Sequence, residues 1–420
     1  MNILWLTNIP LPEASILMNI EPLPFGGWLV NMSKFLANSE NIKLSISFPS
    51  SSFTAIDTLH GEKINYYPFS LNENKDEISV HLKEIIERTN PDLVHIFGTE
   101  YIHTLSMVNI CCQRNIKVLI SIQGLVSIYA QHYMANLPKE IQNSFTFRDL
   151  IKQDNLVQQQ NKFKTRGISE ISALKKVGNV LGRTTWDKAC SIQINPDIHY
   201  HHCNETLRES FYNSASVWNI DKIEENSIFL SQGTYPIKGL HHMLEAMPVI
   251  LKKFPNAKLY VGGINVSNLS GLKAKLKKST YGKYLNHLIK KHRLQDKVSF
   301  TGSLSEKEMC ERYSKSHVFV CPSSIENSPN SLGEAMILGV PCVASYVGGV
   351  SDLLIDKQEG FLYQADAPYM LAHYICEIFA NNDLALKFSS NAREHALKTH
   401  NREYNLKKLT QIYNNIVETN

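Results

Sequence analysis

The stretch CPSSIENSPNSLGEAMILGVPCVASYVGGVSD, Cys321 to Asp352, shows most clearly how this chain folds. Before it, Val318-Phe319-Val320 is a short apolar run of strand-forming residues, and Asn327 to Ser331 supplies turn residues and a helix N-cap. We predict a helix that begins near Ser331 and ends at Gly339, a C-cap residue, because a proline follows two positions later. In an open α/β sheet, a helix N-terminus at the carboxyl end of a strand is a natural phosphate site.

Two glutamates frame this helix, and together with it they indicate a site for an anionic ligand. Glu334 lies in the first turn, where its carboxylate can hydrogen-bond a ribose diol beside the phosphates. Glu326 lies on the loop before the helix, where its side chain would face a ligand bound above the carboxyl end of the strand. This spacing is common by chance, so the prediction depends on turn, cap and acidic positions together. An ordinary strand, loop and helix with solvated glutamates is the alternative.

The region from Glu326 to Glu334, followed by Ala335-Met336, Gly339-Val340-Pro341 and Gly348-Gly349, resembles the E-x7-E region of family 4 glycosyltransferases. These are retaining, metal-independent enzymes with the GT-B fold, an α/β fold in which two doubly wound Rossmann-like parallel-sheet domains face each other across a cleft. The resemblance implies that Glu326 lies over the transferred sugar and that Glu334 binds the nucleotide ribose. It assigns the donor diphosphate to the loop and the helix start, with the residues Asn327, Ser328, Asn330, Ser331 and Leu332.

A second motif, SQGTYPIKG from Ser231 to Gly239, is similar to the family's G-R-L-x-x-x-K-G segment. The lysine and arginine of that segment bind the donor diphosphate. Lys238 matches the lysine, whereas Gly233 stands where the arginine would be. The resemblance therefore assigns stabilisation of the departing phosphate to Lys238 and to the helix near Ser331. Taken alone, Lys238 is equally typical of a solvent-facing lysine at a helix start.

Two features of the N-terminal half complete the predicted site. In PFGGW, Pro24 to Trp28, the backbone of Gly26 and Gly27 can approach a ligand closely. The family carries a glycine-rich loop here, which faces the donor's phosphate and sugar. Gln123 ends an apolar strand where the family often has a histidine near the sugar hydroxyls. We expect Gln123 to contact the sugar or the acceptor, although an amide cannot act as a base.

Length and composition are typical of a globular protein of about two or three domains. Of the 420 residues, 43% are hydrophobic and 20% are charged, and the net charge of +4 is too small to indicate nucleic-acid binding. The eight cysteines form no C-x-x-C pair and are typical of reduced thiols in a cytosolic protein. No basic residue precedes Lys34 and no apolar run approaches about 18 residues, so we expect a cytoplasmic location, with peripheral membrane contact at most.

Strand-like and helical runs alternate along the whole chain, which predicts parallel sheets with helical crossovers. The polar region from Asn213 to Asn226 precedes a fresh strand, and we place the domain boundary there. Residues 1–215 would form an acceptor-side domain, and residues 216–399 a nucleotide-sugar domain. The family resemblance implies that the last helix, in residues 400–420, crosses back onto the first domain.

Metal and membrane sites have weaker support in the sequence. No Asp-x-Asp occurs in the chain, so we expect no metal and no cofactor, and the diphosphate would be neutralised by protein groups. On a strand, His199, His201 and Cys203 would share one face, as zinc ligands could, but histidines lining a polar cleft are the plainer interpretation.

Two basic stretches, Tyr133 to Val180 and Lys273 to Arg293, are typical of either a solvated helix face or a surface that contacts anionic lipid.

The predicted function is transfer of a hexose-type sugar, with retention, from a nucleotide-diphosphate sugar to a hydroxyl of a glycan or lipid-linked acceptor. Surface polysaccharide biosynthesis is the expected setting. Glu326 would orient the sugar, and Lys238 would stabilise the departing phosphate. One alternative is a nucleotide-sugar 2-epimerase of the same fold. The other is a catalytically silent sugar-nucleotide or glycan-binding protein, which the departures at Gly233 and Gln123 would suit.

Overall fold

The computed structural model describes residues 1–22, 26–51, 58–70, 75–213, 217–263 and 278–418. The chain divides into two compact units. Unit 1 comprises Met1–Ser127, Thr165–Arg208 and His400–Asn420, and unit 2 comprises Ile128–Lys164 and Glu209–Thr399. Each unit has one sheet built almost entirely from parallel strands, so the predicted α/β class with two parallel-sheet domains is confirmed. The predicted boundary at 215/216 and the lysines at 273, 275 and 277 lie outside the described residues.

Strands and helices alternate along the chain. The strands are β1 Asn2–Leu6, β2 Lys43–Ser50, β3 Leu59–His60, β4 Asn65–Ser70, β5 Leu93–Phe97, β6 Lys117–Ser121, β7 Asn179–Gly182, β8 His199–His202, β9 Glu224–Leu230, β10 Lys258–Val261, β11 Val298–Phe300, β12 Ser316–Cys321, β13 Cys342–Ser345 and β14 Gly360–Tyr363. The helices are α1 Pro12–Leu17, α2 Gly27–Ala37, α3 Lys75–Thr89, α4 Ile102–Gln113, α5 Val126–His132, α6 Lys139–Gln142, α7 Phe147–Lys152, α8 Leu156–Leu174, α9 Thr185–Ile194, α10 Leu240–Lys253, α11 Thr280–Lys291, α12 Glu306–Ser314, α13 Asn330–Leu338, α14 Val350–Leu353, α15 Pro368–Ala380, α16 Asn382–Thr399 and α17 Arg402–Glu418. Among the described residues, no helix has both the length and the hydropathy that crossing a bilayer requires.

The sheet of unit 1 has eight strands in the order β3-β4-β2-β1-β5-β6-β7-β8. All neighbouring strands are parallel except the short β3, which pairs antiparallel with β4. The central strands are short apolar runs that are buried on both faces, as parallel strands between helices must be. The sheet of unit 2 has six parallel strands in the order β11-β10-β9-β12-β13-β14.

Residues 128–164 lie in unit 2, whereas the sequence-based division placed them in the first domain. Two buried polar contacts hold them there. The Asp149 carboxylate accepts hydrogen bonds from the Thr280 N–H at 2.9 Å and the Thr280 hydroxyl at 2.6 Å. The His241 ring lies 2.8 Å from the Ala135 carbonyl oxygen. Asp149 and Thr280 are separated by 131 positions, so a reading of local patterns does not reveal their contact.

The last helix, α17, lies in unit 1, where its apolar face is part of the hydrophobic core. The buried residues of this face are Leu406, Leu409, Ile412, Tyr413 and Ile416. A polar network fixes the helix against the sheet: Trp5 Nε1 donates to the Tyr413 hydroxyl at 3.0 Å, and that hydroxyl lies 2.5 Å from His95 Nδ1. Burial lowers the pKa of His95 to about 3, so the ring is neutral at physiological pH.

We expect Tyr413→Phe to destabilise unit 1 by about 1–3 kcal/mol, because the Trp5 N–H and the His95 ring would each lose a buried partner. The measurement is urea unfolding followed by tryptophan fluorescence, with the early and late transitions fitted separately because the chain has two units. Tyr404→Phe on the same helix is the control, since Tyr404 is exposed. Equal unfolding midpoints for the two variants would show that the network adds nothing.

Candidate functional site

The predicted donor-binding loops of unit 2 leave the carboxyl ends of β9 and β12, which are neighbours in the sheet. The chain runs from β9 outward through β10 to β11, returns to β12 beside β9, and continues through β13 to β14. The strand order therefore reverses between β9 and β12. Ligands of open α/β sheets bind in the crevice at such a switch point. Lys238 follows β9 and Glu326 follows β12, so the topology brings both to this point.

Lys238 and Glu326 form an ion pair, with Nζ 2.5 Å from Oε1. The Ser323 hydroxyl donates to the same carboxylate oxygen at 2.8 Å. Only 20% of the lysine side chain and 8% of the glutamate side chain are exposed. Burial is the largest single influence and acts to lower the pKa of Lys238, but the Coulombic attraction of Glu326 and Tyr235 and the hydrogen bond to Glu326 together outweigh it and raise that pKa above its ordinary value. The site therefore holds a protonated lysine throughout the physiological pH range.

The two loops meet backbone to backbone at Gly239. Gly239 has φ +71°, and a Cβ atom there would lie 1.8 Å from the Pro322 carbonyl oxygen. Close by, the Ser324 N–H donates to the Ile237 carbonyl at 2.8 Å. Glycine is required because any side chain would push the loop that carries Lys238 away from the loop that carries Glu326.

A second glycine contact fixes the peptide of Glu326 itself. Gly348 has φ +50°, and a Cβ atom there would lie 1.9 Å from the Glu326 carbonyl oxygen. The next residue, Gly349, donates its N–H to the same oxygen at 3.1 Å. The glycine pair in the loop between β13 and α14 therefore supports the loop that carries Glu326.

Helix α13 confirms the sequence prediction, since it begins at Asn330, one residue before the predicted start, and ends at Leu338 with Gly339 as C-cap at φ +78°. The N-cap differs from the expected polar residue. It is Pro329, whose side chain cannot accept a hydrogen bond from the first turn. The Ser331 carbonyl accepts from the Tyr313 hydroxyl at 3.0 Å, which anchors the helix start.

The remaining predicted donor residues of unit 2 differ in what their side chains can reach. Asn327 and Glu334 are buried, and Ser328 is half-buried on the loop between them. The Leu332 side chain is fully buried, and its N–H donates to the Pro329 carbonyl at 2.9 Å. Leu332 can therefore act on an anion only through the dipole of the helix start.

Gly233 is buried at the position where the family's arginine would stand. A Cβ atom there would lie 2.7 Å from a Leu240 methyl carbon and 3.1 Å from Val261 Cγ1. The backbone at this position therefore faces the packed interior, and an arginine side chain would collide with it. The departure from the family pattern changes the packing of the loop as well as its charge.

Tyr129 on α5 joins this cluster, and the sequence reasoning missed it. Its phenol has a hydrogen bond from the backbone of Asn327 and interacts with Glu326 and Lys238. Burial, with a smaller contribution from the Glu326 carboxylate, raises the pKa of Tyr129 above its ordinary value, so the phenol is neutral. Nothing in the sequence around residue 129 distinguishes this tyrosine from other aromatic residues on helices.

The three other predicted site residues, Gly26, Gly27 and Gln123, lie in unit 1. Gly26 has φ +81° and is the N-cap of α2, while a Cβ atom on Gly27 would lie 2.9 Å from Arg208 Cγ. Gln123 Nε2 donates to Glu205 at 2.8 Å, and Glu205 forms a buried ion pair with Arg183 at 2.6 Å. Pro24 and Phe25 of the same loop lie outside the described residues.

Residues 215–395 match the family described as glycosyl transferases group 1. The matched region covers less than half of the chain and is similar to the group 1 glycosyltransferases. The chain is 28% identical over 200 residues to the putative glycosyltransferase YtcC of Bacillus subtilis, a match that covers 46% of this chain and 47% of that protein. The matched region thus spans about half the length of that relative.

Two solved structures show that the whole chain has the GT-B fold. Sucrose-phosphate synthase from Thermosynechococcus elongatus superposes with a TM-score of 0.73 at 16% identity, covering 100% of both chains. The Anabaena protein HepE, solved in complex with UDP-glucose, superposes with a TM-score of 0.69 at 14% identity, covering 98% of this chain and 99% of that chain. At these identities the likeness shows the fold alone.

Of the three side chains His199, His201 and Cys203, the last two have partners other than a metal. His201 Nε2 lies 2.9 Å from Asn179 Oδ1, and the Cys203 thiol donates to the Asn405 carbonyl at 3.5 Å. In the part of the chain that the structure describes, no three His, Cys, Asp or Glu side chains are grouped as metal ligands.

Proposed function

We propose that this chain is a retaining, metal-independent glycosyltransferase that moves a hexose from a UDP-hexose donor to a hydroxyl of a glycan or lipid-linked acceptor. The observation that carries the proposal is the ion pair of Lys238 and Glu326 at the switch point of the unit 2 sheet. A protonated lysine there is suited to a diphosphate, and α13 starts on the loop that carries Glu326. The UDP-glucose complex of the Anabaena protein supports a uridine donor.

In the proposed reaction, the bond between the anomeric carbon and the diphosphate oxygen breaks while the acceptor oxygen bonds to the same face of that carbon. The departing phosphate oxygen takes the acceptor's proton, so no enzymic base is needed. Lys238 and the start of α13 stabilise the negative charge that develops on the phosphate. A bound diphosphate competes for the lysine that now pairs with Glu326, which frees the Glu326 carboxylate to orient the sugar hydroxyls. Glu334 binds the ribose.

We expect Glu326→Gln to lower kcat about tenfold or more while UDP binding changes little, because glutamine keeps the shape but loses the charge that orients the sugar. The measurement is the initial rate of UDP release with a panel of UDP-hexoses and glycan acceptors, beside calorimetric binding of UDP. Glu311→Gln is the control, since Glu311 is an exposed glutamate of unit 2. Each assay is run with and without EDTA, and equal turnover is expected.

The same assays separate the proposal from its alternatives. Full turnover by Glu326→Gln would remove that glutamate from the mechanism, and loss of turnover in EDTA would contradict the metal-independent reaction. Incubating the donor without acceptor tests for an epimerase, which would change the sugar without sustained release of free nucleotide. Binding of a UDP-hexose with neither hydrolysis nor transfer across the panel would indicate a silent binding protein.

A further inference from the structure

In helix α7 of unit 2 and the residues just before it, polar side chains are buried and apolar side chains are exposed, the reverse of an ordinary surface helix. The residues of this segment that point inward are polar: Thr146, at the N-cap, and Asp149 are 4% and 1% exposed. The residues that point outward are large and apolar, with exposed fractions of 59% for Phe145, 59% for Phe147, 57% for Leu150 and 65% for Ile151. We call these four side chains the α7 face. Such a contiguous apolar patch on a soluble protein marks an interaction surface.

The inverted orientation is fixed by hydrogen bonds that tie the helix to unit 2. Thr146 and Asp149 form a capping box, in which each side chain bonds the backbone N–H of the other. The Asp149 carboxylate also accepts the N–H and hydroxyl of Thr280, at the start of α11. Turning the α7 face inward would expose this network and break it. The apolar face is therefore held outward by the fold.

The charged groups around the α7 face are of both signs, with the cations in excess. Lys152, at the end of the helix, and Lys162 are exposed, and Arg148 on the helix is half-exposed. Two carboxylates lie among these cations: Asp149 is 3.0 Å from the Arg148 guanidinium, and Asp154 is 3.2 Å from the same guanidinium and 3.5 Å from the Lys162 ammonium. The surface thus combines large apolar side chains with three cations against two carboxylates, an excess of one positive charge, and amphipathic elements that lie in a membrane interface also combine apolar and basic side chains.

We propose that the α7 face docks this chain onto an anionic phospholipid bilayer, with the four apolar side chains inserted between headgroups and the basic residues near the lipid phosphates. A second copy of the chain is a poorer occupant, because symmetric pairing would bring the same lysines together. The inference rests on the proposed function only for the purpose of docking, which would place the enzyme beside lipid-linked acceptors. Its test measures binding, not transfer.

The experiment is co-sedimentation of the full chain with vesicles of phosphatidylglycerol and phosphatidylcholine in equal parts, and with vesicles of phosphatidylcholine alone. The face variant carries Phe145→Ser, Phe147→Ser, Leu150→Ser and Ile151→Ser, and we expect it to lose about tenfold or more of the partition coefficient on the anionic vesicles. The charge variant, Lys152→Glu with Lys162→Glu, is expected to lose about tenfold on anionic vesicles and little on neutral ones. The control variant replaces four exposed apolar residues elsewhere in unit 2 and is expected to bind as the unaltered chain does: Val249→Ser, Tyr369→Ser, Leu386→Ser and Leu397→Ser.

Three results would overturn the proposal. One is that the unaltered chain does not bind the anionic vesicles. Another is that the face variant binds them as well as the control variant does. The third is that light scattering shows a dimer that the face variant converts to monomer while vesicle binding is unchanged, which would make the α7 face an interface between copies. UDP binding by the face variant, measured beside these, is expected to be unchanged, so a failed docking test leaves the proposed reaction standing.

Discussion

Lys238→Ala is expected to lower kcat about 100- to 1000-fold, the usual effect of removing one group that stabilises charge in a transition state. Lys238 Nζ lies 2.5 Å from Glu326 Oε1, and its raised pKa keeps it protonated at neutral pH. Gly233 replaces the second cation of the family motif with a residue that faces the packed interior. The developing charge on the departing phosphate would therefore depend on Lys238 and on α13.

The same substitution also leaves the buried Glu326 carboxylate without its cation, which by itself destabilises a protein. A double variant, Lys238→Met with Glu326→Gln, removes both charges and separates the two effects. We expect the double variant to recover most of the thermal stability and none of the activity.

Initial rates of UDP release at saturating donor, together with thermal midpoints, measure both quantities. Lys290→Ala serves as the matched control, since Lys290 is an exposed lysine on α11 of the same unit. Half or more of the original turnover in Lys238→Ala would rule out a role for this lysine in stabilising the leaving group.

The part of the site that could be predicted from the sequence is the part with local signals. Strand β12, its polar loop and helix α13 follow one another within 23 residues, from Ser316 to Leu338, and a strand run, turn residues and a C-cap glycine mark each step. The start and end of α13 were predicted to within one residue for this reason. The predicted N-cap was wrong, because Pro329 occupies the position where a polar side chain was expected.

The contacts that complete the site are not local, and the sequence does not reveal them. Lys238 and Glu326 are 88 positions apart, and their pairing follows from the reversal of strand order between β9 and β12. Tyr129 reaches the same loop from the segment 128–164, which the buried Asp149 and His241 contacts attach to unit 2. The family resemblance includes Gly348-Gly349. Only the structure shows that the Glu326 carbonyl oxygen lies where a side chain on residue 348 would be.

Gly348→Ala is expected to reduce kcat about 100-fold and to destabilise unit 2 by about 2–4 kcal/mol. Two causes add. Alanine at φ +50° is strained, and its Cβ atom would lie 1.9 Å from the Glu326 carbonyl oxygen, well inside van der Waals contact. Because that oxygen belongs to the backbone, relief requires the loop that carries Glu326 to move, and a shift of about 1 Å in an orienting group can cost about 100-fold in rate.

Gly302→Ala separates these two causes. Gly302 has φ +75°, so alanine there has comparable backbone strain, but a Cβ atom would meet nothing within 4 Å. We therefore expect Gly302→Ala to cost about 1 kcal/mol and to leave kcat unchanged. Urea unfolding and initial rates, measured on both variants, give the comparison. If Gly348→Ala loses stability but keeps full turnover, the position of the Glu326 backbone does not control the reaction. If the two variants behave alike, strain alone explains the glycine.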